Sequence, residues 1–186
     1  SGSNNFGDAT DDHHSFTGSL SVSASLSVTG SATVDGTFSA QGISLSNNDL
    51  GTSNTIFGKS AGDAIASGGN YNVAIGEDAA GALTTGDTSV AVGFEALLTE
   101  DTNSENTAIG YQALKTQNGA DGNTAVGMRA GVDLTTGAAN TFVGAETAAN
   151  VTTGADNVMM GKAAGVTTLT TSGSVFIGRS AGNAVT

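Results

Sequence analysis

Residues 106–110 read Asn-Thr-Ala-Ile-Gly, and the same five-residue word recurs along most of the chain. It appears as NTIFG at 54–58, NVAIG at 72–76, SVAVG at 89–93, NTAIG at 106–110 and NTAVG at 123–127. NTFVG at 140–144, NVMMG at 157–161 and SVFIG at 174–178 complete the series. The first step between glycines is 18 residues and the next six are 17 each. A fixed period of this length is the mark of a stacked repeat architecture. Each word is too short for a helix and rich in β-branched residues, which predicts a strand of four or five residues.

The residue before each Gly is Phe57, Ile75, Val92, Ile109, Val126, Val143, Met160 or Ile177. It is always large and apolar, so the expectation is that it points into a core. Its neighbour on the other face is Ile56, Ala74, Ala91, Ala108, Ala125, Phe142, Met159 or Phe176, also apolar. A strand apolar on both faces is buried on both faces. One thin coil has a single inside, so the second face calls for another layer, and a second copy of the chain supplies it.

Other columns sharpen the reading. Three residues after the Gly stands Ala, or Thr at Thr147, small enough for a tight turn over a thin core. Four residues before it stands Asn54, Asn72, Ser89, Asn106, Asn123, Asn140, Asn157 or Ser174. Stacked side chains of this kind bond their own turn and their equivalents above and below. Segments such as Thr84-Thr85-Gly86 and Thr135-Thr136-Gly137 read as solvent-facing turns. The fold class is therefore all-β: a parallel β-roll or β-solenoid of eight coils of about 17 residues. Seven steps of about 4.8 Å give a rod of roughly 34 Å.

Composition agrees with a thin core. Gly 28, Ala 28, Thr 26 and Ser 20 make up more than half of the 186 residues. Leu, Ile, Val and Phe together are only about a fifth, which argues against a bulky-cored enzyme. With no Cys there is no disulfide framework or thiolate site. The net charge of −12, with five basic residues, makes nucleic acid a poor partner. No apolar run approaches the roughly 18 residues of a membrane span, so membrane insertion is not expected.

Before the repeats the period changes. Residues 20–42 read in sixes as LSVSAS, LSVTGS, ATVDGT and FSAQG, with apolar residues first and third and Gly at the bends. Such a strip has one apolar face and suits one wall of an intertwined prism of several chains. The expected organisation is a flexible lead-in over 1–15, a β-prism-like shaft and connector over 16–53, and the repeat domain over 54–186.

The words, and above all Asn106-Thr107-Ala108-Ile109-Gly110-Tyr111-Gln112-Ala113-Leu114, resemble the head repeats of trimeric autotransporter adhesins. They resemble repeats of phage tail fibres equally well, and the hexads are similar to the interwoven prism shafts of such fibres. The resemblance implies a homotrimeric, extracellular, cell-surface or virion-borne attachment fibre. Its partners would be its own copies and a host cell-surface glycan or protein. The period is longer than that of the archetypal adhesin head, and neither a heptad stalk nor a C-terminal anchor is visible. That favours a free or phage-like fibre.

Chemistry is sparse. No catalytic residue, cofactor or metal site is expected. His13 and His14 sit in the polar lead-in beside Asp11 and Asp12 and read as a solvated tail. Scattered Asp87, Asp101, Asp121 and Asp156 lack the dense ligand spacing of calcium repeats. No carboxylate pair stands out for glycoside hydrolysis, as a depolymerase-like tailspike would need. The column Thr55, Val73, Val90, Thr107, Thr124, Thr141, Val158, Val175 is half Val, which suits packing better than ice binding.

One candidate binding site remains. The residue after the repeat Gly is charged at the ends of the column, but in the middle it is Phe94, Tyr111 and Met128. On successive coils these would form a short apolar stripe, with Glu95, Gln112 and Arg129 beside it. It packs between neighbouring chains, or it is a ledge for a surface glycan or protein.

Overall fold

The computed structural model describes residues 51–167, 170 and 172–183. The hexads of 20–42 and the pair His13 and His14 lie outside the described residues. Within them the chain is a parallel β-solenoid of about seven turns, with one short strand per coil. The strands are β1 (Thr55–Phe57), β2 (Val73–Ile75), β3 (Val90–Val92) and β4 (Thr107–Ile109). They continue as β5 (Thr124–Val126), β6 (Thr141–Val143), β7 (Val158–Met160) and β8 (Val175–Ile177). Each spans three residues, shorter than the words suggested. All eight form one parallel sheet in chain order. The register is word on word: Ala91 pairs with Ala108, and Ala108 with Ala125.

The two faces of the sheet are the reverse of the sequence expectation. The middle residue of each strand points inward: Ile56, Ala74, Ala91, Ala108, Ala125, Phe142 and Met159 are buried. The residue before the Gly points outward, and Phe57, Ile75, Ile109, Met160 and Ile177 are exposed. The Thr/Val column shares that outer face and is half-buried or exposed. The reason lies in the Asn column, which is buried two residues before the mid-strand residue. Side chains alternate along a strand, so the two share a face.

Hydrogen bonds hold the Asn column inside. Its side-chain oxygen accepts from the next coil's equivalent N–H: Asn54 Oδ1 from Asn72 (2.7 Å), Asn106 Oδ1 from Asn123 (2.9 Å) and Asn123 Oδ1 from Asn140 (2.9 Å). The amide nitrogens donate to turn carbonyls, as Asn72 Nδ2 does to Gly86 O (2.7 Å) and Asn123 Nδ2 to Gly137 O (2.8 Å). Each side chain thus serves a buried backbone N–H and a buried carbonyl. Net, such a bond contributes about 1 kcal/mol, and leaving a partner unmet costs more.

The turn after each strand also links coils. The N–H of Asp78 donates back to Lys59 O (2.9 Å), and that of Ala80 donates forward to Ala96 O (2.9 Å). Alternate N–H groups point up and down the stack because the residues two and four after the Gly have left-handed backbone. Examples are Glu95 (φ 52) and Leu97 (φ 53), and Gln112 (φ 55) and Leu114 (φ 48).

The core is filled by exchange of volume between two columns. Where the mid-strand residue is Ala91 or Ala108, Leu97 or Leu114 fills the space from the turn. Where it is Met159 or Phe176, the turn residue is Gly165 or Gly182. A Cβ there would lie 2.2 Å from Met159 Sδ or 2.6 Å from the Phe176 ring. Gly131 likewise makes room for Phe142 of the following coil, 2.8 Å from where its Cβ would stand. A core at crystal-like density tolerates no double filling.

One inward column breaks the apolar rule. Ile65, Leu83, Leu134 and Val151 are buried there, but the two middle coils present Glu100 and Gln117, both fully buried. Gln117 Nε2 donates to Glu100 Oε2 (2.9 Å) and to Ala120 O (2.8 Å), and Glu100 Oε1 accepts from Asp101 N and Asn103 N.

Candidate functional site

The stripe begins at the repeat glycine. Gly93 (φ 133) follows β3, and a Cβ on it would lie 2.5 Å from Gly110 O. Neither the conformation nor the space suits a side chain, so the chain turns tightly and throws the next residue outward. That residue is Phe94 on one coil, Tyr111 on the next and Met128 on the third; all three are exposed. Backbone bonds fix their alignment, since Gln112 N donates to Phe94 O (2.9 Å) and Arg129 N to Tyr111 O (2.8 Å).

The expected juxtaposition is present. The rings of Phe94 and Tyr111 stack with centroids 5.6 Å apart and planes 10° apart. This is the offset arrangement aromatic pairs prefer. Phe94, Tyr111 and Met128 are 40%, 47% and 46% exposed, so the stripe is half embedded in the surface.

Beside it, the sequence foresaw Glu95, Gln112 and Arg129. Two of these are joined. Glu95 Oε2 accepts from Gln112 Nε2 (2.7 Å) and from Lys115 Nζ (2.6 Å). The bond from Lys115, and then that from Gln112, hold the Glu95 carboxyl below its ordinary value. Arg129 is exposed and forms no ion pair among the described residues. Lys115 was not foreseen, because it lies five residues beyond the repeat Gly, outside the stripe's own column. At the end of the stripe column Lys59 pairs with Glu77 (2.7 Å), and this bond raises the lysine's pKa.

The sequence foresaw a second apolar face on the sheet but placed the wrong column on it: the outer face carries the residues before the Gly. The two outward residues of every strand are Thr, Val, Ile, Phe or Met, and none is charged. Val92, Ile109 and Val126 stand two residues before Phe94, Tyr111 and Met128 along the chain. The signal that would have placed this face outside was the shared parity of the Asn and mid-strand columns.

Among the described residues, no group of three or more His, Asp or Glu side chains is close enough to share a metal ion. No helix of the described residues is long and apolar enough to cross a membrane. Comparison with protein-family models, with curated proteins and with solved structures found no match.

Proposed function

We propose that this chain is a structural segment of a homotrimeric, extracellular or virion-borne attachment fibre. Three solenoids pack side by side through their outer sheet faces and space or present a surface-binding region. The observation that carries the reading is the uncharged apolar outer face, eight strands long, in a chain of net charge −12. An exposed apolar surface of that extent marks an interface. Its rungs repeat every 4.8 Å or so along the stack. A partner must match that spacing rung for rung, and a second copy does so by construction.

Light scattering tests it. Folded protein should have three times the chain mass of 18.0 kDa. Ile109→Lys with Val126→Lys, at the centre of the face, should abolish assembly by burying unpaired charge. A folded species of one chain mass in the native protein refutes the reading.

A second reading, that the roll is itself a receptor- or glycan-binding head, draws on the half-exposed Phe94–Tyr111 stack and its polar frame. Phe94→Ala with Tyr111→Ala separates the two roles. If the stripe packs between chains, melting falls, since each large-to-small change at a buried site costs about 3–5 kcal/mol. If it is a ledge, melting holds while binding to host cells or glycan arrays falls.

A further inference from the structure

Asn118-Gly119 is the single Asn-Gly pair of the chain. Both residues are exposed, on the loop that closes the fourth coil. The N–H of Asn118 is tied to Thr135 O (3.0 Å), which anchors the loop at that point. Beyond it the restraint stops. Among the described residues, the side-chain amide of Asn118 and the N–H of Gly119 form no hydrogen bond. A Cβ on Gly119 (φ 101) would meet only Thr136 Cγ2, at 3.7 Å.

The other asparagines differ. Those of the ladder are buried. Each is followed by Thr or Val, whose branched side chain crowds the following nitrogen. The neighbouring Asp121-Gly122 pair is exposed but held: Gly122 N donates to Ser104 O (3.3 Å), and Asp121 Oδ1 accepts from Ser104 N (2.7 Å).

We propose that Asn118 is a self-modification site. After loss of its proton to solvent, the Gly119 backbone nitrogen attacks Asn118 Cγ. A C–N bond closes a five-membered imide, the Cγ–NH2 bond breaks, and ammonia leaves carrying the returned proton. Water then opens the ring at one carbonyl or the other, giving aspartate or isoaspartate. Nothing is oxidised or reduced. The product adds a carboxylate to the loop. In the isoaspartate form it also adds a methylene to the main chain two residues before Ala120. The carbonyl of Ala120 accepts from Gln117 Nε2 (2.8 Å) and Asn106 Nδ2 (2.9 Å), so the lesion reaches the buried ladder from the surface.

The test is to age the folded full chain in H2 18O at mildly alkaline pH and map its peptides. Heavy-oxygen label should appear at position 118 well before any other asparagine of residues 51–183, and Asn118→Gln should remove that early label. Label arising first at another of these asparagines, or early label persisting in Asn118→Gln, would overturn the site. Aged wild-type protein should melt below the unaged Asn118→Asp variant, which carries the charge without the added methylene. Equal melting would overturn the link to the ladder.

Discussion

Thr88 has φ 56, a left-handed backbone that a β-branched residue seldom adopts. It stands five residues before the repeat Gly, in a column where Gly122 (φ 70) and Gly173 (φ 74) hold the same conformation. Its side chain is exposed, and its N–H bond to Asn70 O (2.9 Å) belongs to the backbone. Left-handed backbone costs an L-residue about 1–2 kcal/mol, against about 0.5–1 kcal/mol for glycine's extra chain entropy. Thr88→Gly should therefore stabilise the protein by about 0.5–1 kcal/mol in denaturant melts at fixed protein concentration, and a loss of stability would contradict the backbone assignment. Glu95 gives a pH prediction at the same scale. Its carboxyl is held below the ordinary 4.5 by Lys115 and Gln112. The stability it adds is fully present above pH 4.5 and fades as pH falls through its lowered native value. Glu95→Gln should flatten that part of the acid limb, and wild type and variant should converge at lower pH. Parallel curves down to the acid end would show that the contact adds nothing.

At the scale of the element, the buried Glu100–Gln117 pair should behave as a unit. Gln117→Leu leaves Glu100 Oε2 facing an apolar side chain, and an unmet buried acceptor costs about 1–3 kcal/mol, more when charged. Changing both to Leu restores the run set by Ile65, Leu83, Leu134 and Val151, and apolar replacement of buried polar pairs is often neutral or better. The double variant should lose less stability than the two single variants summed, by about 0.5–3 kcal/mol in a denaturation cycle. Additive losses would mean the two side chains are independent. This element also shows what the sequence made legible. Period, strand positions, parallel stacking, the Asn ladder and the Phe94–Tyr111–Met128 alignment all follow from repetition, which puts equivalent residues one above another. The assignment of faces did not follow, because both columns of the strand are apolar and hydrophobicity alone cannot choose between them. The parity of Asn123 with Ala125, against that of Val126, decides it. The exchange of bulk between Ala108 and Leu114, or Phe142 and Gly131, is likewise visible only when the facing columns are known.

For the whole molecule, each coil touches its neighbours along the stack, so stability is roughly a sum of coil and interface terms. Deleting 73–89, one full period, should join Asn72 to Val90, keep Gly131 beneath Phe142 and leave a shorter folded rod. Deleting 107–123 has the same length but removes Gln117 and strands Glu100, so it should melt at a lower temperature. Removing eight residues moves every later column out of register and should abolish the cooperative transition. Circular dichroism melts rank the three, and equal tolerance of all would rule out the one-coil period.

The backbone bonds between coils all point along the stack, while the chain enters at one end and leaves at the other. Tension applied to the two ends of one solenoid therefore loads its coils in series and strips them off the end in turn. A released 17-residue coil, drawn out at about 3.4 Å per residue, lengthens the chain by roughly 50 Å net of its own rise. One chain of the assembled protein, held by its two ends in an optical trap, should thus give way in near-even steps, the mechanical signature of a ratcheted tether that yields stepwise and dissipates a pull.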